Sequence, residues 1–255
     1  MEWLELIVRK SSREIEIMRE AGKIVADALR LAKKIAQKDV TTEWLNDEIE
    51  RYIISQGGTP VFKGYRGFPK SICSSINEEV VHGIPSQRKL KNGDILSIDV
   101  GVGYKKYVAD AALTVPIGEI SQDAKRIIDV CEKSLGLAIK AAKANQKLSV
   151  ISRTIQDYVE KHDYSVVRNY TGHGIGRCMH EDPQVPNFVS KSLLDADVVL
   201  LSGVTLAIEP MICLGKCDTE VLGNKWTVVT KDRKLSAHFE HTIVITDGGA
   251  DILTL

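Results

Sequence analysis

The chain has 255 residues, with 34 Lys and Arg balancing 34 Asp and Glu, so its formal net charge is zero. That balance excludes the basic excess behind binding to nucleic acid or an anionic membrane, while the length allows a sizeable core in one large domain or two modest ones. Five cysteines (Cys73, Cys131, Cys178, Cys213 and Cys217) without a C-x-x-C pair argue for reduced, mostly buried thiols rather than a disulfide framework or zinc knuckle.

The N-terminal residues hold only a short apolar run between charges, and no stretch reaches about 18 uninterrupted apolar residues. A cytoplasmic protein with no signal peptide and no membrane span is expected. Ser11-x-x-Glu14 is a capping box that predicts an amphipathic helix through about Gln37, with Ile15, Met18, Ile24, Val25, Leu29 and Leu31 on its apolar face. A second helix is expected from Thr41 to the Gly57-Gly58 pair. ILSIDVGV and YVADAALTV then read as strands of a hairpin joined across Gly101–Lys106. Helical patterns return over about Ser121–Asn145 and Ser149–Lys161, followed by strand-like SVVRNYT, VTLAIEPMI, KWTVVT and HFEHTIVIT.

The second half repeats the first. His82-Gly83-Ile84 parallels His173-Gly174-Ile175, and NGDILSID (Asn92–Asp99) parallels SGVTLAIE (Ser202–Glu209) in G-x-x-L-x-I and a final carboxylate. A second acid follows in each half, Asp110 and Glu240. We read this as an internal duplication of a helix–helix–strand unit, roughly residues 12–118 and 119–255, within a single domain spanning 1–255. The two halves would then pack about a pseudo-twofold axis, with four acids facing one cleft.

Acids inside apolar strand runs are costly to bury without compensation. A strand-end acid paired with a cation or with backbone amides explains one such residue, not four at duplicated positions. Four carboxylates and an imidazole repel one another without a cation, and they suit two divalent ions roughly 3.5 Å apart. The candidate ligands are Asp99, Asp110, His173, Glu209 and Glu240. The oxygen-rich shell disfavours a structural zinc site and leaves Mn²⁺, Fe²⁺, Co²⁺ or a catalytic Zn²⁺ open. His173 lies between glycines, where the chain is expected to bend closely around a metal. His180 lies seven residues on, free to approach from another direction and donate a hydrogen bond to a substrate oxygen.

FKGYRGFPKSICSSINEEVVHGIP, GDILSIDVG, TGHGIGRCMHEDPQVPN, TLAIEPM and SAHFEHTIVIT together resemble type I methionine aminopeptidases, from about Ser12 to Leu255. The resemblance implies the α+β pita-bread fold and hydrolytic removal of N-terminal methionine from nascent polypeptides, with a small second residue preferred and a bridging water attacking the scissile carbonyl. By resemblance, Asp99 is a bidentate ligand of one ion, His173 a ligand of the other, and Asp110 and Glu240 bridge both. Glu209 completes the His173 site and handles the proton, His180 contacts the scissile carbonyl, and His82 the substrate backbone; the free α-amine meets a metal or a neighbouring acid. The methionine pocket draws on Tyr65, Phe68, Cys73 and Trp226, with Phe62 and Met179 as neighbours. Met179 stands where the family more often has Phe, and Phe62 where bacterial members often have a smaller residue, so the pocket's fine shape departs from the pattern.

Only 28 residues separate His180 from Glu209, which leaves no room for the large insertion of the type II enzymes. The short segment before Ser11 is expected to carry neither a zinc-finger extension nor the extra domain of proline-specific aminopeptidases. A non-catalytic relative acting as a binding module is the rival from another class, and loss of a ligand would favour it. All five are present. A monomer is expected, with the ribosome a candidate partner, since nascent chains are the natural pool of Met N-termini. GHGIGR is neither a Walker loop nor a dinucleotide fingerprint.

Overall fold

In the computed structural model, which describes residues 7–255, the first helix begins where its capping box places it. The Ser11 side chain accepts from the Glu14 amide while Glu14 reaches back to the Ser11 amide, opening α1 (Ser12–Ile35). Most of the N-terminal apolar run lies outside the described residues. Thr41 caps α2 (Thr42–Ser55) through the Trp44 amide. After β1 (Thr59–Pro60), β2 (Ile72–Ile76) and β3 (Glu79–Val81) comes the hairpin of β4 (Ile95–Tyr104) and β5 (Tyr107–Pro116). Its turn is tighter than the Gly101–Lys106 expected, because only Lys105 and Lys106 adopt left-handed backbone, at φ 45 and 71°. Gly101 and Gly103 stay inside β4, where a Cβ on Gly101 would come within 2.5 Å of the Phe62 ring.

The second half opens with α3 (Gln122–Ala141) and α4 (Ser149–Lys161). It continues with β6 (Ser165–Val166), β7 (Thr171–Gly174), β8 (Glu181–Pro186), α5 (Lys191–Asp195), β9 (Thr205–Ile208), β10 (Met211–Cys213) and β11 (Thr219–Val221), and ends with β12 (Val228–Thr230), β13 (Ser236–His238), β14 (Glu240–Thr246) and β15 (Gly249–Ile252). Helix α3 stops short of Asn145, which takes left-handed backbone at φ 67°. The run VTLAIEPMI does not form one strand. Pro210 has no N–H for a ladder, and there the chain leaves the large sheet: β9 pairs with β14 and β7, whereas β10 pairs with β13 and β6. SVVRNYT divides likewise into β6 and the start of β7.

Nine strands form the curled main sheet, in the order β1-β4-β5-β14-β9-β7-β8, with β2 beside β4 and β15 beside β14. Helices cover one face. Val25, Leu29, Leu45, Ile49 and Ile53 of α1 and α2 pack on Leu96, Ile98, Ala109 and Ala111 of the first half. Ile127, Leu135, Ile151 and Ile155 of α3 and α4 pack on Leu206, Ile208, Ile243 and Ile245 of the second. The β5–β14 pairing joins the halves at Ala112↔Glu240 and Ala111↔His241. Among the described residues no helix is long and apolar enough to cross a membrane.

Candidate metal centre and substrate cavity

Side chains alternate between the faces of a strand, so register decides which polar groups meet on the helix-free face. Cys73 of β2 lies opposite Asp99 of β4, Asp99 opposite Ala112 of β5, and Ala112 opposite Glu240 of β14. Small Ala112 leaves room within this row. Asp110 is two residues from Ala112, hence on the same face, and the Thr242 hydroxyl, two from Glu240, lies 2.9 Å from its Oδ1. On the other half, His241 opposes Ile208 and His173 opposes Ala207. One further step in that register sets Glu209 opposite Glu240. Five chemistry-bearing residues from five strands or strand ends thus share one face where the two halves join.

Asp110, His173 and Glu240 offer ligand atoms all within 4.8 Å of one another. His173 Nε2 lies 3.5 Å from Asp110 Oδ2 and 3.6 Å from Glu209 Oε1, longer than good hydrogen bonds. Its Nδ1 is 2.9 Å from the Gly174 carbonyl, which only accepts, so the ring proton sits on Nδ1 and the Nε2 lone pair faces the carboxylates. Backbone-oriented imidazole of this kind is the usual arrangement of a metal-ligating histidine. Asp99 stands outside the three-residue group. Its Oδ1 is buried without a hydrogen-bond partner, a group that needs a cation or a proton.

Burial and mutual repulsion drive the titrations apart. Burial raises the Asp110 carboxyl to about 6, opposed by the Thr242 hydrogen bond. Asp99, Glu209 and Glu240 are held well above the usual carboxylate range, first by burial and then by the charge of Asp110, with smaller contributions of Asp99 to Glu209 and of both to Glu240. Burial pushes His173, His82 and His180 down to about 4, so all three rings are neutral near pH 7. Acids held up and imidazoles held neutral are what a site awaiting positive charge looks like. The residues fit divalent cations.

A cavity of about 160 Å³ sits over this face, lined by every residue singled out from the sequence and, in addition, by Arg66. Its apolar side is Phe62, Phe68, Cys73 and Met179, all buried, with Trp226 edge-on to Phe68 at 5.1 Å. The Tyr65 hydroxyl is 2.7 Å from His180 Nδ1; in the tautomer where the hydroxyl donates, the proton of the neutral ring is on Nε2 and free for a substrate oxygen. His82 takes left-handed backbone at φ 58°, uncommon for a side chain of its size, with its ring edge-on to Tyr170 and Trp226. A roomier hollow of about 550 Å³ between α1 and α3 holds no comparable group of acids.

The glycines around His173 do not serve left-handed backbone, since Gly172, Gly174 and Gly176 all avoid it, although the β7–β8 ladder shifts register between His173 and Gly174. They permit close approach instead: a Cβ on Gly172 would overlap the Ala207 carbonyl, and one on Gly174 the Asp182 carbonyl. Thr242 and His238 were not foreseen. His238 is buried with Nε2 lacking a hydrogen-bond partner, 3.7 Å from Glu209 Oε2. Each lies two positions from Glu240, a period-two signal that could have found them.

A curled, helix-backed sheet with paired strand acids at its centre defines a metal-dependent hydrolase of pita-bread architecture, and the chain belongs to metallopeptidase family M24, whose sequence profile matches residues 16–247. It is 49% identical to "Methionine aminopeptidase 1" of Bacillus subtilis (strain 168) over 249 residues, covering 98% of this chain and 99% of that protein. A crystal structure of methionine aminopeptidase from Rickettsia prowazekii superposes with a TM-score of 0.94 at 41% identity, covering 98% of this chain and 100% of that one. Methionine aminopeptidase from Thermotoga maritima gives 0.94 at 43%, covering 97% and 99%.

Proposed function

We propose that this metallopeptidase removes the N-terminal methionine from polypeptides, preferring a small second residue, with two divalent ions held by Asp99, Asp110, His173, Glu209 and Glu240. The observation that carries the reading is the unprotonated His173 Nε2 facing Asp110 and Glu209 carboxylate oxygens at the end of an apolar, sulfur-bearing cavity. The names of the similar proteins point to the same substrate. Mn, Co, Fe and Zn all suit this oxygen-rich donor set. The matching His-Gly pairs support the duplication within one catalytic domain: a Cβ on Gly83 would overlap the Ser74 carbonyl much as one on Gly174 would overlap that of Asp182.

Divalent ions held by these residues would supply the positive charge that lowers the pKa of a water and polarises a carbonyl. The chain's own groups do the rest. Glu209 takes the proton of the attacking water and returns it to the departing amine. His180 donates from Nε2 to the carbonyl oxygen as negative charge builds there, a contact whose loss typically costs about 10²–10³ in rate. His82 holds the substrate backbone. Phe62, Tyr65, Phe68, Cys73, Met179 and Trp226 enclose the methionine side chain, since a thioether packs well on aromatic rings. The free α-amine is attracted by the acid row, which makes the reaction an exopeptidase one. Nascent chains are the natural substrates, the ribosome a candidate partner, the cytoplasm the natural place of action, and a monomer suffices for the site.

The test is release of methionine from Met-Ala-Ser by protein stripped with chelator and resupplied with Mn²⁺ or Co²⁺. Metal-restored release that Glu209→Ala abolishes is expected. Metal binding by folded protein without release under any divalent ion would point to a pocket reshaped by Met179 and Phe62, whereas neither release nor metal binding would favour the binding-module reading.

A further inference from the structure

His180 sits at the end of the turn from β7 to β8, and little inside that turn holds it. The turn's own backbone bond is Gly176 N–H to Cys178 O at 3.1 Å, and Val108 N–H donates to Gly176 O at 2.7 Å. The amides of Arg177 and Cys178 have no backbone acceptor among the described residues. Both donate instead to Glu181 Oε1, at 2.7 and 3.1 Å. The other carboxylate oxygen accepts from Lys10 Nζ at 2.5 Å, and the Lys10 side chain is only 3% exposed.

Lys10 is itself fixed. Its amide donates to Gly203 O at 2.7 Å and its ammonium also to Val8 O at 3.1 Å. Gly176 makes the approach possible, since a Cβ there would stand 2.7 Å from Glu181 Oε1 and 2.8 Å from Lys10 Nζ. Four residues on, Glu14 accepts from the Arg177 guanidinium at 3.3 Å. The segment that starts α1 thus grips the turn at two points. A buried ion pair is a weak source of stability, because desolvation offsets most of the attraction. Rigidity is the better reason for it.

We propose that Lys10 and Glu181 are positioning residues that lock the turn so that His180 Nε2 points at the substrate carbonyl. The inference rests on the role proposed above for His180. A misplacement of about 1 Å can cost on the order of 10²-fold in rate, so the clamp acts on turnover rather than on binding.

A double-mutant cycle with metal-loaded enzyme on Met-Ala-Ser tests it, read beside hydrogen exchange of the 177–180 amides. Lys10→Met, and Glu181→Gln should Lys10→Met not fold, is expected to lower kcat by about tenfold with KM within about twofold. In the His180→Ala background the same change should cost less than about twofold, because coupled residues are not additive. The Arg177 and Cys178 amides should exchange faster in either single variant. Equal cost in both backgrounds, or unaltered exchange, would overturn the clamp and leave the ion pair a structural contact. No methionine release by the metal-loaded parent would overturn the functional reading, and the clamp's purpose with it.

Discussion

Asp110→Asn separates the electrostatic cost of the site from its use. In the folded chain without cations Asp110 keeps its proton to about pH 6, against an ordinary 3.8. Between those values the folded chain binds more protons than the unfolded one, so stability falls as pH rises through the window. At about 1.36 kcal/mol per tenfold change in proton affinity, the cost above pH 6 is about 3 kcal/mol. Asn carries no such cost and keeps an oxygen for the Thr242 hydroxyl. Chelated Asp110→Asn should therefore be more stable than the parent near pH 7.5, by roughly 6–12 °C in Tm at about 2–4 °C per kcal/mol, and no more stable near pH 4. Histidines lowered to about 4 shift stability the other way as pH falls, equally in both proteins for His82 and His173, whereas His180 loses the upward pull of the Asp110 charge in the variant. Ions at about 100 times Kd add about 2.7 kcal/mol to the parent and less to a variant lacking a ligand. Calorimetry across pH, with chelator and with Mn²⁺, measures all of this. A chelated variant less stable than the parent near pH 7.5 would refute the reasoning and show that burying the Asp110 charge is not the dominant cost at this position.

Tyr65→Phe removes the hydroxyl that orients His180; kcat should fall about fivefold, the worth of one hydrogen bond of about 1 kcal/mol, with KM little changed in steady-state assays. Trp226→Ala opens the wall beside Phe68 and His82, so KM for Met-Ala-Ser should rise about tenfold or more while kcat changes less; an unchanged KM would place the methionine side chain elsewhere. Gly174→Ala meets the backbone of β8 at Asp182 and Glu181. It should cost about 3 kcal/mol or more, read as a fall in Tm, whereas Gly136→Ala, inside α3 with nothing within 4 Å of a Cβ, should raise Tm slightly.

Much of the molecule was legible in its sequence because the signals are local. The Ser11–Glu14 box, the helical periodicity behind Met18, Val25 and Leu29, and acids set among β-branched residues each declare themselves within a few positions. The repeat of His-Gly-Ile and G-x-x-L-x-I carried the two-half architecture, since copies of one unit can share a face. The break at Glu209-Pro210 was harder. An apolar run reads as one strand until it is known which sheet each side joins.

The sequence by itself determined the main helices, the central hairpin and the kind of residue at the centre, because periodicity and capping are properties of neighbours along a chain. Only the tertiary structure decided why the glycines near His173 are glycines: they make way for Ala207, Asp182 and Lys10. It alone set the tautomer of His173, through a carbonyl, and placed a tyrosine hydroxyl against His180 Nδ1. It alone joined Lys10 to Glu181 across 171 positions. Contacts between distant segments leave no spacing to read, because the fold, and not the order of residues, sets how close they come.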